Sequence, residues 1–498
     1  MAIRKENKIY FKNTLGHEIQ EFVPIHKERV GMYHCGPTVY NQAHIGNISV
    51  YIFADTLRRL FENQNYKVTQ VINITDVGHL TDDQNDGDDK IENASKKENI
   101  SAQEISQKYT KLFIADLQKL NIEIDKIIFP KATDHIKEQI KLIEKIEKAG
   151  LAYQISDGIY FDTSLYKNYG QLGDIDLENL QEGARVLKNS EKKNHTDFAL
   201  WKFSEASEKR QQEWESPWGV GFPGWHIECS AMSEKYLGKS FDIHTGGIEH
   251  ISIHHNNEMA QSESANHQKQ ANYWLHTNHI TLDGQKMSKS VGNVIYLDDL
   301  IKNNINPMSF RYWYLTSKYN SPANFTIETV MAAQTALFKI VDFIKDSKVI
   351  NVPNNNGLKQ IFKKIFNRGN LEIDENYYYR ALKELNYDLN TPKAIALIWD
   401  LIKDESVELG SKIWTILEID KILGLDLEEL AIKKIDEEKQ NSLEIPPEIT
   451  EMANQRNLAR ENRDFKKADE LREKINQAGY EIIDQSDKNQ NNSVIHKK

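Results

Sequence analysis

Cysteine is all but missing from this chain: Cys35 and Cys229 are the only two among 498 residues. A dense disulfide framework is thereby excluded, and what each thiol does becomes a pointed question. Long apolar runs are missing too. No stretch approaches the roughly 20 residues that cross a bilayer, and Met1-Ala2-Ile3-Arg4-Lys5-Glu6 leads into no apolar signal segment. A cytoplasmic protein with no membrane contact is expected. Positive charge is in deficit, the formal net charge being -11. Indiscriminate nucleic-acid binding is therefore disfavoured, and any such contact must rest on local basic patches.

Some familiar signatures are incomplete. Gly219 to Gly224 formally spells GxGxxG, but Pro223 lies inside it and no strand pattern precedes it, so a dinucleotide fingerprint is not supported. Gly238-Lys239-Ser240 lacks the upstream glycine of a phosphate loop. Asp82 to Asp89 is rich in aspartate, yet its spacing does not match a calcium loop ending in glutamate, and it reads as a flexible acidic loop.

What is present is a globular composition, 39% hydrophobic and 28% charged, in a chain long enough for three or four compact units. The most informative stretch runs from Met32 to Asn47. Val30 to Tyr33 reads as a buried strand, Gly36-Pro37 breaks it, and an amphipathic helix follows from about His44 to Asn63. Such a junction places exposed amides and a positive helix dipole at a strand's carboxyl end, where an anion such as a phosphate is favoured. His44 and Asn47, three apart, can face one ligand, and Gly46 allows close approach to the backbone. A second stretch, Asp283 to Ser290, sets Lys286 and Lys289 in a polar glycine-marked loop able to bring two ammonium groups onto a polyphosphate.

His44-Ile45-Gly46-Asn47 and Lys286-Met287-Ser288-Lys289-Ser290 resemble the two signatures of class I aminoacyl-tRNA synthetases. Asn47 stands where that family usually has histidine; its amide still offers a donor but cannot become cationic.

Both cysteines lie in motif-like stretches, Tyr33 to Tyr40 and Gly224 to Met232, while His254 and Glu258 share a helix face four residues apart. Two thiolates, an imidazole and a carboxylate suit a tetrahedral zinc. Two buried free thiols or a long-range disulfide are the alternatives. His34, His226, His244, His250 and His255 make the same region histidine-rich, and one of them could replace Glu258.

These stretches, in this order, resemble the cysteinyl-tRNA synthetases from about Phe22 to Asp484. The resemblance implies an α/β fold: a Rossmann-type class I catalytic domain with a connective insertion, then a helical anticodon-binding bundle and a small C-terminal module. In this chain the implied parts are residues 1–117 and 206–295 as the two halves of the catalytic domain, with 118–205 as the insertion between them. Residues 296–350 form the junction, 351–440 the anticodon-side bundle, 441–484 the small module, and 485–498 a disordered tail.

By the same resemblance Cys35, Cys229, His254 and Glu258 correspond to ligands of one zinc. His44, Asn47, Lys286 and Lys289 act on phosphates; Gly46, Gly246 and Gly247 lie against ATP, which arrives with Mg2+. Thr38 and Trp225, beside the two cysteines, line the amino-acid pocket. The implied partners are L-cysteine, ATP and tRNA(Cys), and a monomer is expected. Phe222 replaces a common arginine, Thr245 a frequent glycine and Glu249 a common aspartate. A ligase that joins cysteine to an amino sugar would share the catalytic half, but residues 350–480 argue against it.

Overall fold

The computed structural model describes residues 8–78, 89–175, 190–204, 210–287, 292–347, 372–443, 446–484 and 493–497. Two short alternating runs, around Ile9 to Phe11 and Ile19 to Val23, predict a small hairpin, and they pair antiparallel as β1 (Tyr10–Lys12) and β2 (Ile19–Glu21). Then come β3 (Arg29–His34), α1 (Ile45–Asn63) and β4 (Lys67–Ile72). His44 is the N-cap of α1, so the expected start holds to within one residue.

The amphipathic reading of α1 is too modest. Buried positions occur all round the helix, Ile45, Ile52, Asp55, Arg58 and Phe61 among them. A helix covered on every side can keep charged residues only where they pair, and Asp55 and Arg58 do so at 2.5 Å.

The chain continues through α2 (Lys90–Glu98), α3 (Ala102–Lys119), β5 (Ile127–Ile128) and α4 (Ile136–Lys148). Ile105 and Leu117 on α3, and Ile136, Ile143 and Ile146 on α4, bury the stripes their spacing predicts. Four strands follow, β6 (Ala152–Ile155), β7 (Gly158–Phe161), β8 (Phe198–Phe203) and β9 (Gly221–Pro223), in one antiparallel sheet ordered β6-β7-β8-β9. The insertion is thus shifted against the expected 118–205: β5 still pairs with β4, and β9 completes the inserted sheet. Neither short strand carries enough periodicity to mark its sheet.

Beyond it lie α5 (Trp225–Leu237), β10 (Phe241–Gly247), α6 (His254–Asn266) and β11 (Ala271–Thr277). The central sheet is parallel throughout, ordered β11-β10-β3-β4-β5. From β3 the chain crosses to β4 on one side, while β10 pairs on the other, so the carboxyl ends of β3 and β10 flank the switch point where ligands bind in open α/β sheets. Gly246 and Gly247, whose pairing predicts a glycine-rich turn after the strand, instead close strand β10 itself.

Then follow β12 (Ile280–Leu282), β13 (Gln285–Lys286), α7 (Leu297–Lys302), α8 (Pro307–Leu315), β14 (Ala323–Phe325) and α9 (Ile327–Asp346). The helical part holds α10 (Glu375–Asn386), α11 (Thr391–Lys403), α12 (Leu409–Leu423) and α13 (Leu427–Leu443). Last are α14 (Pro447–Glu461), α15 (Phe465–Gln477), β15 (Tyr480–Asp484) and β16 (Ser493–Lys497).

Two compact units result. One comprises Met1–Phe338 and Leu371–Asp426, the other Lys339–Asn370 and Leu427–Lys498. The expected bundle 351–440 is therefore divided at Asp426, α10 to α12 belonging with the catalytic part. The terminal unit has its own core of Ile449, Ala453, Ile475 and Ile482. The arginine- and lysine-rich run Asn454 to Arg472, which predicts one helix, spans two, broken at Arg463 with φ of 60. Part of the expected disordered tail is a strand, Ser493–Lys497 pairing antiparallel with Tyr480–Asp484. Asn351 to Gly357, whose proline and consecutive asparagines predict a linker, and all of the acidic stretch Asp82 to Asp89 except Asp89 lie outside the described residues; Asp89 caps α2. Among the described residues no helix is long and apolar enough to cross a membrane.

Candidate active site and metal centre

Cys35 follows β3 directly, its amide donating to the Thr245 carbonyl of β10 at 3.2 Å. Cys229 lies on α5, and His254 and Glu258 occupy the first turns of α6. Three separate elements thus converge. The four donor atoms lie within 4.8 Å of one another, and all four residues are buried. Cys35 Sγ is 3.5 Å from Glu258 Oε1, and His254 Nε2 is 3.1 Å from the same oxygen. Both cysteines are free thiols, so the disulfide alternative does not apply.

A second donor set overlaps the first: Cys35, His244, His255 and Glu258. His244 Nε2 is 2.9 Å from Glu258 Oε2, and His255 Nε2 is 3.2 Å from Cys35 Sγ. The outer contacts are also imidazoles. His226 Nδ1 meets His254 Nδ1 at 2.9 Å, and His255 Nδ1 meets His276 Nε2 at 2.7 Å, with Thr14 Oγ1 on the far nitrogen of His276. Such contacts fix the ring orientation and tautomer of a ligating histidine.

The electrostatics describe a site short of positive charge. Burial pushes the Cys35 thiol well up, with Cys229 and Glu258 adding to the effect. Cys229 is lowered by its hydrogen bond with Cys35, against burial. For Glu258 burial opposes the charge, yet His244 and His254 hold the carboxyl below the usual range. His254 is raised to about 10: burial works against it, but Cys229 and Glu258 win. Burial together with His244 lowers His34 to about 3. Sulfur, nitrogen and carboxylate donors buried in one place fit a borderline-soft divalent cation such as zinc.

Beside this centre His44, Gly46, Asn47, Gly247, Glu249 and Met287 line a cleft of about 480 Å3, part of it open to solvent. His44 Nδ1 accepts the Asn47 amide at 3.3 Å, capping α1. In the neutral ring the proton then resides on Nε2. A Cβ on Gly247 would come 2.4 Å from Glu249 Oε2, and one on Gly246 would meet His250 Nδ1 at 2.5 Å. Of the three glycines expected against the nucleotide, Gly46 and Gly247 line the cleft, whereas Gly246 makes room for imidazoles.

Trp225 opens α5, and its ring stands 4.8 Å from that of His254. Thr38 pairs through its backbone with Thr75. Lys286 closes β13 at the edge of the signature loop; Lys289 lies outside the described residues. Asp76, whose place in a polar run at the end of a strand pattern predicts either a structural or a ligand role, accepts Thr133 N and Oγ1 at 2.9 and 2.7 Å and serves the fold. Phe222 carries a guanidinium after all: Arg210 lies 3.8 Å from its ring centre and also binds the Gly78 carbonyl. Sequence reasoning missed His276, Thr14 and Lys90, whose ammonium stands 5.9 Å from the Trp225 ring. None of these three sits in a recognisable motif.

A parallel sheet with a helix-capping histidine at its switch point, in a cleft that Met287 of the second signature also lines, is the arrangement of a class I aminoacyl-tRNA synthetase. The model of the "tRNA synthetases class I (C) catalytic domain" matches residues 21–335. Cysteine--tRNA ligase 1 of Burkholderia lata is 43% identical, over 95% of this chain and 94% of its own. The cysteine--tRNA ligase of Treponema denticola is 40% identical over 96% and 98%. The fold is shared with the methionyl-tRNA synthetase of Mycobacterium tuberculosis, at a TM-score of 0.55, 14% identity and coverage of 81% and 93%. The chain belongs to the cysteinyl-tRNA synthetase family.

Proposed function

We propose that this protein is a cysteine--tRNA ligase: it activates L-cysteine with ATP and transfers the cysteinyl group to the 3′-terminal ribose of tRNA(Cys). The observation that carries this reading is the meeting of Cys35, Cys229, His254 and Glu258 beside the His44 cleft. Those four residues would hold zinc. Bound there, the metal supplies a soft position for a thiolate, which a neutral hydroxyl cannot match, and so separates cysteine from serine where pocket size would not.

The remaining chemistry belongs to the chain's polar groups. A cysteine carboxylate oxygen attacks the α-phosphorus of ATP, the bond to the β-phosphate oxygen breaks, and pyrophosphate leaves with Mg2+. His44 Nε2–H and the Asn47 side-chain amide donate to phosphate at the start of α1, where the helix dipole also favours negative charge. Lys286 and Lys289 receive the departing pyrophosphate. Trp225 and Thr38 border the amino-acid pocket, and Gly46 and Gly247 let the nucleotide lie close. The terminal ribose hydroxyl, the 2′ by likeness to class I enzymes, then attacks the acyl carbon and releases AMP. Positioning and charge stabilisation do the work, with no protein nucleophile.

For tRNA, the turn between α14 and α15 is the supporting feature. Phe465 is 62% and Leu458 57% exposed there, among exposed Arg463, Lys466 and Lys467. An uncovered aromatic with Arg463, Lys466 and Lys467 close in sequence, and with exposed Glu461 and Asp464 beside them, suits stacking on a single-stranded base. The reading places the protein in the cytoplasm, as a monomer. Cysteine-dependent exchange of pyrophosphate into ATP, followed by charging of purified tRNA(Cys), tests it; absence of both with zinc present refutes it.

A further inference from the structure

The helix that presents His44 and Asn47 has a second, buried anchorage outside the cleft. Asp55 lies eleven residues beyond His44, about 16 Å along α1 at the usual rise. Asp55, Arg58 and Arg311 are fully buried or nearly so, and charge at such depth persists only when densely paired. Arg58 and Arg59 bind Asp55 from the same helix, at 2.5 and 2.7 Å. Arg311 arrives from α8, with Nη2 on Asp55 Oδ2 at 2.6 Å.

Arg311 spends its other donors on two different helix ends. Nη1 donates to Leu120 O, at the end of α3, at 2.8 Å, and Nε donates to Leu423 O, at the end of α12, at 2.9 Å. Those carbonyls have no partner within their own helices, and a guanidinium also complements the negative helix ends. One planar group thus ties α1, α3 and α12 together. Gly424 sits directly behind it: with φ of 64, a Cβ there would lie 2.4 Å from Arg311 Nη2. A separate contact points the same way, since Tyr319 stacks on Phe53 of α1 at 4.4 Å and donates to Asp388 of the α10–α11 connection at 2.6 Å.

We propose that Arg311 is a positioning residue for cysteine activation, fixing the axis of α1 through Asp55 so that His44 and Asn47 meet the phosphates in register. This rests on the function given above. The three-pronged geometry is specific to a guanidinium, because a lysine ammonium on its flexible stem cannot reach an aspartate and two divergent carbonyls in one plane. The α12 end, through Leu423, becomes part of the support of the phosphate site.

The test compares the full-length wild type with Arg311→Lys and with Gly424→Ala, which displaces the guanidinium without removing it. Zinc content and melting temperature are measured beside pyrophosphate exchange. The expected result is a kcat lowered by about 100-fold, the scale of an ångström of misplacement, with KM for cysteine within about twofold and zinc retained. Variants that melt earlier but keep the wild-type kcat per zinc-loaded molecule would overturn the assignment. Hydrogen exchange gives a readout that needs no activity. Arg311→Lys should expose the amides of residues 45–49 ahead of those of β10, and uniform exposure of both contradicts the proposal. A wild type inert towards cysteine refutes the function instead, and the exchange comparison still decides the role of Arg311.

Discussion

Cys35 Sγ and Glu258 Oε1 lie 3.5 Å apart although 223 residues separate them in the chain. One residue directly follows a parallel strand and the other sits on the second turn of a helix made largely of polar residues. That contact exists because β10 is inserted beside β3, which brings α6 over the end of both.

Removing one sulfur should therefore empty the centre. Cys229→Ser leaves a hydroxyl that does not ionise in the working range, and Cys35 and Glu258 lose their neighbour. Zinc per chain, read by elemental analysis, is expected to fall from about one to a small fraction. Cysteine-dependent exchange should drop by more than the roughly 100-fold that loss of an outer-shell partner can cost.

The two overlapping donor sets make different demands. If the metal takes the set with Cys229 and His254, His254→Ala abolishes zinc binding, while His255→Ala leaves it within about tenfold of the wild type. His226→Ala, which frees His254 Nδ1, is expected to weaken zinc by about 10- to 100-fold. Competition with a chelator measures all three, and a reversed order of His254 and His255 would move the ion to the other set.

Acid should release the metal. Without it Cys35 is held protonated by burial, and His254 is raised to about 10, so both carry protons near neutrality that a cation must displace. Mass action then weakens zinc binding as pH falls and strengthens it as pH rises. Chelator titrations at pH 6, 7 and 8 check the sign, and an affinity constant across that range would contradict it.

Asp55 governs a different pH window. Burial opposes its charge, but Arg311, Arg59 and Arg58 bring the carboxyl from 3.8 to about 2. A depressed carboxyl contributes stability above its unfolded value and loses it as pH falls through the folded one. The contribution is about 2 kcal/mol above pH 4, fading towards pH 2. The gap in melting temperature between wild type and Asp55→Asn should narrow between pH 5 and pH 3; a gap that stays constant would oppose this.

At the far end of the chain, Phe465→Ala is expected to raise KM for tRNA(Cys) by about tenfold, in keeping with the loss of one stacked base. Pyrophosphate exchange should not change, because Phe465 belongs to the terminal unit, which contributes none of the cleft or donor residues. Equal effects on both assays would assign the loss to folding.

The sequence made the catalytic half legible because its functional residues occur in contiguous strings. The strand, turn and helix from Val30 to Asn63 carry their own periodicity and cap, and they fold within a residue of expectation. The candidate metal donors were legible one stretch at a time, since scarce cysteines and an i, i+4 pair stand out. What no local pattern encodes is long-range pairing. β9 joins the inserted sheet only through β8, and the division at Asp426 depends on which surface α12 covers. The imidazole shell with His276 and Thr14 comes from β11 and the β1–β2 turn, too far apart in sequence to suggest a site. Arg311 reads as one basic residue in an apolar helix; its meaning depends on Asp55, 256 positions away.

X-ray absorption at the zinc edge, with and without L-cysteine, addresses the substrate-selection step itself. The expected result is one additional sulfur neighbour at about 2.3 Å when L-cysteine is added to the zinc protein, and no change with L-serine. A zinc shell that stays the same with both amino acids, in a protein that still activates cysteine, would show that selection does not pass through the metal.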